Sequence, residues 1–134
     1  MFFKNNKNYN NDLIKIAALL IHAAKIDENF TIEEEKIIEE TLLNLGANKE
    51  NVKEIIIESK KIEDKANQIL EFTKEVKNMN ENDKIKIVET LWRIIYSNKD
   101  ADIYETSLMR RLAGLLYIDN KTMGDIKEKI KKNF

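Results

Sequence analysis

Residues 27–34, Asp-Glu-Asn-Phe-Thr-Ile-Glu-Glu, form a polar stretch that runs into helical apolar spacing, and residues 98–105, Asn-Lys-Asp-Ala-Asp-Ile-Tyr-Glu, repeat the arrangement. A shift of 71 carries Asp27 onto Asn98, Thr31 onto Asp102, Ile32 onto Ile103 and Glu34 onto Glu105. Upstream, the same shift lays Ile14, Ile16 and Leu20 on Ile85, Ile87 and Leu91; downstream, it lays Ile37 and Ile38 on Leu108 and Met109. Loop length, cap position and glutamate agree together, so the chain reads as two related helix–loop–helix units.

Both stretches carry two kinds of chemistry. Thr31 with Glu34, and Asp102 with Glu105, fit a capping box, in which the cap oxygen accepts from the third helical N–H and the glutamate reaches back. The loops also set side-chain oxygens at alternating positions: Asp27, Asn29 and Thr31, then Asn98, Asp100 and Asp102. Alternating hard donors ahead of a helix suit Ca²⁺ or Mg²⁺. An EF-hand is excluded. It needs glycine at loop position six, where Ile32 and Ile103 stand, and a bidentate glutamate at position twelve, where Ile38 and Met109 stand. Two readings therefore stand side by side: capping alone, and capping plus a weakly bound divalent cation held by Asp27, Glu34, Asn98, Asp100, Asp102 and Glu105.

Outward from these loops the apolar spacing is helical almost throughout. The first helix is expected over Asp12–Ile26 with Leu13, Ile16, Ala17, Leu20 and Ala24 inward. The second spans Ile32–Leu45, burying Ile37, Ile38, Leu42 and Leu45, with Gly46 placed for a left-handed cap. A third starts near Asn48 and buries Val52, Ile55, Ile56 and Ile62; a fourth covers Asp64–Asn78 around Ile69, Phe72 and Val76. Asn80 caps a fifth, whose stripe is Ile85, Val88, Leu91, Trp92 and Ile95. The sixth spans Ile103–Tyr117 with Leu108, Leu112, Leu115 and Leu116 inward, and the seventh begins near Lys121 with Met123, Ile126 and Ile130. No run alternates with period two long enough for a strand. The expected fold is all-α, a bundle of about seven helices. Residues 1–10 are expected to be a flexible polar arm, and residues 11–134 a single domain.

Composition narrows the chemistry. The chain has 134 residues, no cysteine, no proline and one histidine. Disulfides, thiolate metal sites and cysteine nucleophiles are excluded. The formal net charge of −1 gives no global field for nucleic acid, and no nucleic-acid partner is expected. No stretch approaches the ~18 apolar residues of a membrane span, and the polar N-terminus lacks a signal-peptide core, so the expected address is cytoplasmic. The lysine-rich stretch Lys127–Lys132 is read as a helix end whose cations complement the dipole, with membrane contact the lesser reading.

His22-Ala-Ala-Lys-Ile-Asp27-Glu-Asn-Phe30 running into Glu34, Leu91-Trp-Arg-Ile-Ile-Tyr-Ser-Asn98 running into Tyr104-Glu105, and Leu108-Met-Arg-Arg-Leu-Ala-Gly-Leu-Leu116 resemble the tellurite-resistance TerB-like family. The likeness covers roughly residues 11–130. It implies a compact helical bundle, a role in tellurite or stress resistance, association with membrane-linked complexes, and a divalent metal at acidic loop residues, which fall here on Asp27, Glu34 and Glu105; an unknown protein partner is expected. Asn98 stands where the family has aspartate, Lys99 and Glu28 where it has glycine. Asn98 keeps a carbonyl oxygen but no charge, and Lys99 adds a cation, so the implied site is weak. The expected function is a non-enzymatic interaction or adaptor domain, possible metal binding making a cation-dependent stress sensor the alternative. His22 is expected to be structural, Trp92 to lie in the core, and Arg93, Arg110 and Arg111 to form a solvated face paired with glutamates.

Overall fold

Several helix starts in this chain are written by side chains that satisfy the unpaired N–H groups of a first turn. The computed structural model describes residues 6–25, 30–65, 69–97 and 103–133. Its helices are α1 (Asn6–Ala24), α2 (Ile32–Asn44), α3 (Val52–Lys65), α4 (Leu70–Lys77), α5 (Glu81–Ser97), α6 (Ile103–Leu115) and α7 (Asn120–Lys131). Before α2, Thr31 Oγ1 accepts from Glu34 N–H at 3.1 Å, and Glu34 Oε1 accepts from Thr31 N–H at 2.8 Å, completing the capping box. Asn48 and Asn51 exchange reciprocal N–H···Oδ1 bonds of 3.1 Å ahead of α3. Asn80 Oδ1 accepts from Asp83 N–H at 2.8 Å, and Asp119 Oδ1 from Thr122 N–H at 2.7 Å. The bond from the Thr122 N–H holds the Asp119 carboxyl below the usual aspartate range.

α1 and α5 occupy the centre. Residues 16–21 of α1 are all buried, as are Ile87, Val88, Thr90, Leu91, Trp92, Ile94 and Ile95 of α5. A helix buried all round needs neighbours on every side. α3 packs along α1 and α7 along α5, the same relation in both units; α2 crosses onto α5, and α4 lies between α1 and α6. The repeat thus extends to two three-helix units, α1–α3 and α5–α7, joined by α4. At the α2–α5 crossing the buried hydroxyls of Thr41 and Thr90 lie 2.6 Å apart. Among the described residues no helix is long and apolar enough to cross a membrane.

Several expectations shift. α1 begins at Asn6, inside the stretch expected to be an arm, because extending a helix already anchored by packing costs far less than nucleating one; residues 1–5 lie outside the described residues. α3 runs to Lys65, taking in Asp64, which the apolar spacing puts at the head of the fourth helix. Its inward stripe is Val52, Ile55, Ile56, Ser59 and Glu63, so Ile62 faces outward at 36% exposure. Ser59 Oγ donates to Ile55 O at 2.6 Å and lies 3.0 Å from Ile14 O, which places a polar residue against α1.

The C-terminal caps of α2 and α6 also repeat. Ala47 N–H donates to Leu42 O at 2.9 Å and Gly46 N–H to Leu43 O at 3.2 Å; Ile118 N–H donates to Ala113 O at 2.9 Å and Tyr117 N–H to Gly114 O at 3.3 Å. Both are Schellman motifs, which place one residue in the left-handed region. In the first unit this is Gly46, φ 116°; in the second it is Tyr117, φ 57°. A residue with a Cβ is disfavoured there by roughly 1–2 kcal/mol. Tyr117→Gly is therefore expected to stabilise the protein by about 0.5–1 kcal/mol, after the extra entropy of an unfolded glycine is deducted. Gly46→Ala is expected to cost about 1 kcal/mol. Thermal unfolding of both variants measures the pair; a lower melting temperature for Tyr117→Gly would show that the ring contributes more than its backbone costs.

Candidate functional site

Of the six loop residues read as cation donors, Asp27, Asn98, Asp100 and Asp102 lie outside the described residues. Glu105 is described only as backbone, in the first turn of α6. Glu34 is fully buried, and its Oε1 takes both the N–H of Thr31 at 2.8 Å and its hydroxyl at 3.1 Å. Among the described residues no three His, Asp or Glu side chains gather as a metal-ligand set. The positions an EF-hand would use for its last ligand, Ile38 and Met109, are buried in the core.

The ionisable cluster that the structure does bring together joins α1 to α3. Glu63, only 9% exposed, accepts from both sides: His22 Nδ1 lies 3.1 Å from its Oε2, and Lys25 Nζ donates to its Oε1 at 2.6 Å. Lys25 also donates to Asp64 Oδ1 at 2.8 Å. The hydrogen bond to Asp64, and then that to Glu63, raise the lysine above its usual value; the same lysine bond lowers Asp64. Partners 38–41 residues apart leave no local sequence signal, so this tie was not legible in advance. Its chemistry is that of a latch: both oxygens of a nearly buried carboxylate are engaged by groups of the neighbouring helix.

A cleft of about 200 Å³ lies where α2, α5 and α7 meet, with Thr41, Thr90, Lys86, Arg93 and Lys129 on its walls. Each cation there has a carboxylate partner: Lys86 with Asp83 at 3.7 Å, Arg93 with Glu40 at 3.3 Å, and Lys129 with Glu89 at 2.7 Å. Charge within the cleft is therefore largely balanced. The expected pairing of arginines with glutamates holds for Arg93 alone. Arg110 and Arg111 are exposed on α6, and among the described residues no carboxylate pairs with either.

The latch makes a definite prediction. Glu63→Ala leaves Lys25 and His22 partly solvated, so the loss is about 1–2 kcal/mol rather than that of a stranded buried charge. This corresponds to a fall of several degrees in melting temperature. Asp64, lowered in the folded state, stabilises above its unfolded pKa and loses that contribution as pH falls through its folded value. Lys25, raised, stabilises below its unfolded pKa and loses its contribution as pH rises through its folded value. Stability between pH 2 and 5 should thus fall less steeply in Lys25→Met than in the parent; an unchanged acid limb would contradict the tie.

Comparison with known proteins then places the chain. The family model described as Tellurite resistance protein TerB matches residues 13–128, from the first buried turn of α1 into α7. Neither the curated proteins nor the solved structures compared give a match. With the matched span taking in both three-helix units and the helix between them, the chain belongs to the TerB family.

Proposed function

We propose that this TerB domain works as a non-enzymatic interaction domain in a stress-related setting. The observation that carries this reading is the commitment of its reactive side chains to architecture. His22 and Lys25 engage Glu63, Glu34 closes the cap of α2, and the cations of the α2–α5–α7 cleft are paired with carboxylates. A scaffold arranged in this way offers surfaces rather than a reaction centre. Membership of TerB, in general not a catalytic family, supports the same reading.

The chain has no cysteine, so single-cysteine variants at exposed positions can each carry a photo-crosslinker in the cells the protein comes from. The interaction reading expects discrete adducts from neighbouring positions on one face. Absence of adducts from every face would overturn it.

A second reading, a cation-dependent sensor using the acidic loops, is favoured by one feature: the fully buried carboxylate of Glu34 stands at the exit of the first loop. A cation present at about ten times its dissociation constant adds roughly 1.4 kcal/mol, a shift of several degrees. Melting of chelator-treated protein with millimolar Ca²⁺ or Mg²⁺ is then expected to rise, and Glu34→Gln, which keeps an acceptor oxygen for the capping box, should remove the rise. Equal melting with and without cation would discard the sensor.

A further inference from the structure

α6 turns Leu108, Met109, Leu112 and Leu116 into the core and leaves Ser107, Arg110, Arg111 and Gly114 on its outer face, with Tyr117 just beyond its end. From residue 106 to residue 118 the chain carries no acidic side chain. Among the described residues neither arginine has an ion-pair partner. A Cβ on Gly114 would meet nothing within 4 Å, so the middle of this face is an open shelf. Tyr117 stands 72% exposed, held at φ 57° where the equivalent position of the other unit has glycine. Lys77 of α4 lies over its ring, 5.0 Å from the centroid. Strain retained at an exposed aromatic residue marks a position kept for something other than stability.

We propose that this face of α6, with Arg110, Arg111, Tyr117 and Lys77, docks a carboxylate-rich helical segment of a partner protein. The proposal rests on the interaction-domain reading and names its partner's chemistry. Guanidinium forks match carboxylates two bonds at a time, and arginine and tyrosine are the side chains enriched at binding hot spots. An open glycine between them lets a partner helix approach closely. The face has one ring and no aliphatic ridge, which is poor for insertion into lipid. Three cations are few for a nucleic-acid backbone. A second copy is disfavoured by the internal repeat itself. The shift of 71 lays Glu39 and Glu40 of α2 on Arg110 and Arg111. That acidic helix already spends Glu40 on Arg93 and Glu35 on Lys60 within its own chain.

Ser107→Cys is a unique attachment point in a cysteine-free chain, exposed at the edge of this face and clear of its glycine, and an environment-sensitive dye placed there reports occupancy of the face. The probe is a synthetic amphipathic helix with glutamates spaced one turn apart around a leucine stripe. A saturable response is expected, weakened at least about tenfold by Arg110→Glu/Arg111→Glu and about threefold by Arg110→Lys/Arg111→Lys, which keeps charge but not the fork. Tyr117→Gly should weaken binding several-fold while melting higher than the parent, a combination that a purely structural role cannot produce. Lys121→Glu/Lys131→Glu on α7 makes the same charge change elsewhere and should leave binding within about twofold.

Equal loss in the α7 control, or no loss in the arginine pair, would overturn the assignment. So would a stronger response to phosphatidylserine vesicles or to single-stranded DNA than to the peptide. Self-association in sedimentation that Arg110→Glu/Arg111→Glu abolishes would put a second copy on the face instead. Crosslinked partners on other faces with a silent α6 would overturn this site and leave the interaction reading standing; silence everywhere would overturn both.

Discussion

The structure depends on two helices that cannot face water. α1 from Ile16 to Ala24 is buried at every residue but His22, and α5 is buried over most of its last three turns. Such helices have no polar side to present, so each must be surrounded, and the remaining helices are positioned by that demand. α3 covers α1, α7 covers α5, α2 crosses onto α5, and α4 closes against α1. Burial of this kind is roughly proportional to apolar area and has no direction. It explains why these helices associate, but not their rotation about their own axes.

Rotation is supplied by polar groups placed sparingly in the interfaces. Ser59 and Glu63 sit on the inward stripe of α3, where apolar residues would have allowed the helix to slide or turn. Ser59 reaches the carbonyl of Ile14, and Glu63 takes His22 and Lys25, which fixes α3 against α1 at two heights. Thr41 and Thr90 do the same where α2 crosses α5. A buried carboxylate is expensive unless both oxygens find donors. Glu63 meets that condition only when α1 and α3 stand in this register.

Much of the architecture was legible from the chain. Apolar positions recurring at helical spacing located all seven helices, and the Thr31 capping box and Gly46 cap marked the start and end of α2 correctly, because these signals lie within a few residues of one another. What was not legible is long-range. Ile62 reads as core because it is apolar and follows Ile55 by seven residues, yet the stripe passes through Ser59 and Glu63, whose partners lie on α1. The seam between α3 and α4 was misplaced for the same reason. At the candidate sites the outcome is uneven. Glu34 is legible as a cap, whereas the His22–Glu63–Lys25 cluster leaves no local trace, and that Arg110 and Arg111 have no ion-pair partner among the described residues shows only once α6 is set against its neighbours.

The internal repeat turns these differences into an argument about where function lies. Two units that solve the same packing problem provide a control for each other, position by position. α2 and α6 start and stop at equivalent residues and end in the same hydrogen-bonded motif, although α2 packs on α5, α1 and α3 and α6 on α4. They differ at Glu39-Glu40 against Arg110-Arg111 and at Gly46 against Tyr117. The first unit has an ion pair from Glu40 across to Arg93 of α5 and glycine in the left-handed position. The second takes cations with no ion-pair partner among the described residues and a strained exposed ring, each less favourable for an isolated chain. A surface on which the better local choice is available in the same molecule, and is not used, is where the proposed acidic partner would supply the stabilising contacts.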